Sequence, residues 1–130
     1  MKKIRVLIAI MGLDQHEVGA IAVSRALMDA GIEVIYAGRF NLPGMIARTA
    51  LQENVDLIAM SCGSWEYLNY VPELIELLKA QDLAVPVIIG GSIITAGDEK
   101  TMRQKGVAAV FGPSSTMEQI IEKINGLVNS

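Results

Sequence analysis

Ile4-Arg5-Val6-Leu7-Ile8-Ala9-Ile10-Met11, running into Gly12-Leu13-Asp14-Gln15-His16-Glu17-Val18-Gly19, decides how this chain folds. Apart from Arg5, the residues from Ile4 to Ile10 are aliphatic, and many are β-branched, as in a buried strand. From Val18 to Ala30 apolar residues recur at helical spacing, and Gly31 stands where a helix ends in a left-handed residue. A strand that passes into a helix through a glycine-flanked turn opens a β-α unit. The turn also holds the single histidine, His16, two residues after Asp14. In open α/β sheets ligands bind beyond the carboxyl ends of the strands, which is where this turn lies.

Two chemistries suit Asp14 and His16. A metal-ligating histidine hands its second ring N–H to a carboxylate, which fixes the tautomer and raises basicity. Asp14 is close enough in sequence to do this if the turn curls. Asp14 equally suits a solvated or helix-capping aspartate beside an ordinary loop histidine. A protein-only zinc site needs further ligands, and the chain has no second histidine and only Cys62. A metal at His16 would therefore arrive inside a cofactor that brings its other ligands.

The strand-helix alternation repeats five times. Strands are expected at about Ile4–Ile10, Glu33–Tyr36, Asp56–Met60, Val85–Ile89 and Ala108–Phe111. The first helix spans about Val18–Ala30. The second opens near Pro43, a favoured first-turn residue, and reaches about Glu53. The third is expected from near Pro72, with Leu74, Ile75, Leu77 and Leu78 on one apolar stripe. The fourth spans about Asp98–Lys105, closed by Gly106. The fifth opens with the capping-box pattern Ser115-x-x-Glu118 and runs to about Leu127. Such alternation with right-handed crossovers gives an α/β, doubly wound parallel sheet with helices on both faces. Five strands suggest the flavodoxin-like (Rossmann-like) order 2-1-3-4-5, with a switch point between strands one and three.

With 130 residues, one domain over 1–130 is expected. Hydrophobic content is 52% with only 5% aromatic, as suits a parallel sheet sandwiched by helices. The net charge of −3 and the absence of a basic patch argue against nucleic acid. One cysteine rules out an internal disulfide framework. Met1-Lys2-Lys3 leads straight into the first strand, whose apolar run is too short for a membrane span and lacks a small-residue cleavage site. A cytoplasmic protein, with no membrane partner, is expected.

Small residues recur at three successive strand ends: Ser61-Cys62-Gly63-Ser64, Gly90-Gly91-Ser92 and Gly112-Pro113-Ser114-Ser115. Each alone suits an ordinary turn. Together they describe a slot beside strands three and four into which a long, narrow group could pass. A receiver domain would need an aspartate after strand three and a lysine after strand five, where this chain has Ser61 and Gly112-Pro113. A flavin-binding phosphate loop, a dinucleotide Gly-x-Gly-x-x-Gly and a Walker A motif are all missing.

Asp14-x-His16-x-x-Gly19, then Ser61-x-Gly63, then Gly90-Gly91 resembles the cobalamin (B12)-binding fingerprint Asp-x-His-x-x-Gly … Ser-x-Leu … Gly-Gly. The intervals, 41 residues between Gly19 and Ser61 and 26 between Gly63 and Gly90, suit that family. Asp29-Ala30-Gly31, Glu33-Val34-Ile35-Tyr36, Val71-Pro72-Glu73-Leu74-Ile75 and Phe111-Gly112-Pro113 are most similar to the B12-binding domain of methylmalonyl-CoA mutase and its acyl-CoA mutase relatives. The resemblance implies His16 as lower cobalt ligand in place of the cofactor's benzimidazole, oriented by Asp14, with Gln15 and Gly19 beside them. It implies a nucleotide tail held by Ser61, Gly63, Gly90, Gly91 and Gly112. It also implies adenosylcobalamin as cofactor and a separate large TIM-barrel subunit that carries the acyl-CoA. This chain alone would then catalyse no isomerisation.

Three positions depart from the pattern. Gln15 stands where relatives often have glycine, Gly63 replaces the leucine of Ser-x-Leu, and Ser64-Trp65-Glu66-Tyr67 replaces small residues followed by histidine. Trp65, Glu66 and Tyr67 are expected on the rim that meets a partner. Two other functions share the fingerprint: a corrinoid methyl carrier serving methyltransferases, and a non-catalytic corrinoid carrier or sensor. Methyl carriers usually place a helical cap before the Asp-x-His turn. Only 13 residues precede Asp14, so no cap is expected.

Overall fold

The computed structural model describes residues 3–11, 17–112 and 114–129. Along the chain come β1 (Arg5–Met11), α1 (Val18–Asp29), β2 (Glu33–Asn41), α2 (Pro43–Glu53), β3 (Leu57–Ser61), α3 (Tyr67–Ala80), β4 (Val87–Gly90), α4 (Ala96–Gln104), β5 (Ala109–Phe111) and α5 (Met117–Val128). The strands form one parallel sheet in the order β2-β1-β3-β4-β5. This is the doubly wound, flavodoxin-like sheet that the alternation predicts. Strand order reverses at β1, so the connections leaving β1 and β3 diverge to opposite faces and open a crevice between them.

Side chains alternate across each strand. Val6, Ile8, Ile10, Leu57, Ile88 and Ala109 face α1 and α5, where Leu27 and Ile124 close the layer. Leu7, Ala9, Ile58, Met60, Val87 and Ile89 face α2, α3 and α4 and pack with Ile46, Leu74 and Met102. The near-continuous apolar runs of the strands are thus explained by burial on both sides.

Several boundaries differ from the sequence reading. α3 begins at Tyr67 and carries Pro72 inside it, whereas the proline predicts a start at that point. Tyr67 and Val71 continue the buried stripe of Leu74, Ile75 and Leu78 back by a turn, and that burial outweighs the hydrogen bond lost at Pro72. α5 is capped one residue later than expected. The Thr116 hydroxyl accepts from the Gln119 N–H (3.1 Å), while the Gln119 side chain accepts from the Thr116 N–H (2.9 Å). Both Ser115-x-x-Glu118 and Thr116-x-x-Gln119 satisfy the capping pattern, and the observed choice leaves Ser115 outside the helix.

β2 runs on to Asn41, past the expected end at Tyr36. Its pairing with β1 slips twice, and Gly38 and Phe40 take left-handed φ values of 72° and 66°. Buried Asn41 braces the irregular end by donating to the carbonyls of Gly38 (2.8 Å) and Ile10 (3.2 Å). The two edges of the sheet differ in chemistry. At the amino edge the Arg5 guanidinium meets Glu33 (2.8 Å), and the Asp56 carboxylate accepts from the Arg5 backbone N–H (2.8 Å). At the carboxyl edge Val18, Phe40, Leu42, Met45, Trp65 and Met117 are exposed, all at strand ends or helix starts.

Candidate functional site

Two cross-strand rows on the α1/α5 face define a cleft. The outer row is Ile10, Ser61, Gly90 and Phe111, each paired with the next across the sheet. The inner row, two residues deeper, is Ile8, Ala59, Ile88 and Ala109. Ser61, Gly90 and Ala59 leave a trough where larger side chains would fill the space between sheet and helices. α1 contributes Gly19, Ala20, Ala22 and Val23 to one wall. Met117 and Ile120 of α5 form the other, with Ser115 at the lip. The cavity measures about 290 Å³. Its chemistry is mostly hydrocarbon, with the Ser61 and Ser115 hydroxyls toward the carboxyl edge.

The structure brings Gly19, Ser61, Gly90, Gly91 and Gly112 of the sequence-derived set into this one lining. Gly63 is not part of it. Asp14, Gln15 and His16 lie outside the described residues. The described residues on either side, Met11 at the end of β1 and Glu17 before α1, lie at the same edge of the sheet as the cleft. Sequence reasoning missed Ala59, Ile88, Ala22, Val23, Phe111, Met117 and Ile120. Two of these had a readable signal. Strand side chains repeat with period two, so Ser61 and Gly90 mark Ala59 and Ile88 as the next residues on the same face.

The adjacent glycines do different work. A Cβ on Gly90 would lie 3.4 Å from the Phe111 carbonyl oxygen, an ordinary contact, and on the cleft side of the sheet. A Cβ on Gly91 would lie 1.9 Å from the Cys62 carbonyl oxygen, which no side chain tolerates. Gly91 is glycine because the ends of β3 and β4 come together there. Gly90 keeps the trough open. Gly91→Val, the natural slot-filling substitution on sequence grounds alone, would therefore disturb the strand ends and not only the cavity.

Beside the His16 turn, the Glu17 carboxylate accepts from the Tyr36 hydroxyl (2.7 Å) and lies 3.6 Å from the Arg39 guanidinium. The Tyr36 pKa is pushed up to about 12, chiefly by burial and then by its bond to Glu17. Arg39 also rests over the Phe40 ring, 5.2 Å from its centre. On the connection before α3, Trp65 is 62% exposed, as expected for a rim residue. Tyr67 is not: it is 1% exposed in the core, and its hydroxyl donates to Asp98 at the start of α4 (2.8 Å). It sits one turn before Val71 on the inward stripe of α3, upstream of the start that Pro72 predicts.

A family model described as the B12 binding domain matches residues 4–122. The chain is 37% identical over 125 residues to the 2-hydroxyisobutanoyl-CoA mutase small subunit of Aquincola tertiaricarbonis, covering 96% of this chain and 92% of that protein. It is 35% identical to the pivalyl-CoA mutase small subunit of Xanthobacter autotrophicus, covering 97% and 84%. It is 31% identical to methylmalonyl-CoA mutase of Escherichia coli, of which it spans only 18%. Among solved structures, a cobalamin-binding protein from Desulfitobacterium hafniense matches with a TM-score of 0.84 at 21% identity, over 98% of this chain and 60% of that one. The receiver domain of the response regulator NarL from Mycobacterium tuberculosis matches with a TM-score of 0.77 at 16% identity, over 100% and 99%. Those structural likenesses speak for the fold alone. The family match over residues 4–122, and two small subunits aligned over nearly the whole chain, carry the assignment: the chain belongs to the B12-binding domain family.

Proposed function

We propose that this chain, as one domain over 1–130, is the cobalamin-binding small subunit of an adenosylcobalamin-dependent acyl-CoA mutase. His16 is the lower ligand of the cobalt, and Asp14 holds its ring. The displaced nucleotide tail enters the cleft between α1 and α5, past Gly19, Ser61, Gly90, Gly91 and Gly112. The observation that carries the reading is that cleft. A flat base and its ribose need a trough with aliphatic walls, and the open column of Ala59, Ser61 and Gly90 leaves one. When bound, the cofactor supplies the radical chemistry of carbon-skeleton rearrangement; the chain supplies binding and orientation. The exposed apolar residues of the carboxyl edge suit cover by the corrin and by a large TIM-barrel subunit that holds the acyl-CoA.

The test is spectroscopic. The purified chain should bind cobalamin with the benzimidazole displaced and a protein nitrogen on cobalt. His16→Ala should lose that nitrogen, and Asp14→Ala should weaken binding by roughly 10–100-fold. Ala59→Leu, which puts hydrocarbon into the trough without touching the strand ends, should lower affinity while leaving thermal unfolding nearly unchanged. Bound-cofactor spectra that His16→Ala leaves as they were would defeat the assignment. Preference for methylcobalamin, with methyl transfer to a partner methyltransferase, would favour the carrier function instead.

A further inference from the structure

We infer that the cleft selects among corrinoids by the base of the nucleotide tail, accepting an apolar benzimidazole or phenol and rejecting a purine. The inference rests on the reading that the cleft holds that tail. Its polar side chains, Ser61 and Ser115, stand near the carboxyl edge. The floor is the inner row Ile8, Ala59 and Ile88, one pair of residues and so about 7 Å further along the strands. Val23 and Ile120 wall it. None of these five side chains has a donor or acceptor. The strand backbone beneath them is engaged in the parallel ladder that pairs Ile8 with Ala59 and Ala59 with Ile88.

A group that enters from the carboxyl edge brings its far end to this floor. Methylated benzimidazoles and phenols present hydrocarbon there. A purine presents an amino group and ring nitrogens, which would lose water and find no partner. Unpaired buried polar groups of this kind cost enough to weaken binding about 10- to 100-fold. The two hydroxyls stand toward the carboxyl edge, away from this floor.

The experiment is equilibrium dialysis of the full chain with three corrinoids that differ only in the base: 5,6-dimethylbenzimidazole, a methylphenol and adenine. The first two should bind within a few-fold of each other and the third about 10- to 100-fold more weakly. Ala59→Ser places one hydroxyl on the floor at little cost in volume and should narrow the gap several-fold, with unfolding measured alongside to show the fold intact. Equal binding of the adenine and benzimidazole corrinoids overturns the inference. So does a gap that Ala59→Ser leaves unchanged, since the floor is then not its source. If none of the three binds, the cofactor reading itself fails and takes this inference with it.

Discussion

Tyr36 and Tyr67 both give their hydroxyl protons to carboxylates, Glu17 and Asp98, and both hold those protons more tightly than a free tyrosine does. For each, burial is the larger cause and the carboxylate the second. A pKa raised in the folded state means that the folded chain keeps a proton the unfolded chain has lost. The stabilisation is therefore complete below the ordinary tyrosine value of 10.0 and fades as pH rises toward about 12. Urea midpoints measured from pH 9 to pH 11.5 should fall over that interval, and Tyr67→Phe should flatten the fall. An equal slope in both proteins would contradict the role of this hydroxyl. Neither bond was readable from sequence. Tyr36 and Glu17 are 19 residues apart, Tyr67 and Asp98 are 31, and only the packing of β2 beside α1 and of α3 beside α4 brings them together.

At the scale of elements, legibility followed local signals. The start of α2 is legible because Pro43 suits a first turn, and in the structure Asn54, with φ of 52°, supplies the left-handed cap at its end. The start of α3 is not legible, because a proline signal is local while the burial of Tyr67 belongs to the assembled core. The cap of α5 was misplaced by one residue, because two overlapping patterns were equally good. Strand ends gave the small residues but not their duties, which depend on how closely β3 and β4 approach. That difference can be measured. Gly91→Ala should destabilise the chain by about 1–3 kcal/mol, since a Cβ there collides with the Cys62 carbonyl. Gly90→Ala should cost less than about 1 kcal/mol and show its effect in weaker cobalamin binding. Urea unfolding and cobalamin titration of the pair would expose the reverse ranking if the duties were exchanged.

For the whole molecule, the sheet order was legible because alternation and handedness leave few topologies, and the cofactor family because spaced motifs survive where single ones mislead. The segment with Asp14, Gln15 and His16 is the part for which sequence alone speaks. On the subunit reading, the chain supplied with adenosylcobalamin and acyl-CoA esters should show no turnover by itself. Activity should appear on adding the large subunit and fall with Trp65→Ala, while cobalamin binding by the small chain stays intact. Turnover by the isolated chain would contradict the subunit reading. Cobalamin at 100 times its Kd should add about 2.7 kcal/mol to stability, visible as a rise in Tm on the order of 10 °C. The contact between Gly91 and the Cys62 carbonyl also bears on ancestry. A lineage that lost the cofactor would be free to fill position 90, and selection would then be silent there. Position 91 would stay glycine, because it answers to the backbone and not to any ligand. In a set of related chains, variation at 90 beside constancy at 91 would date the loss of a function that the fold had outlived.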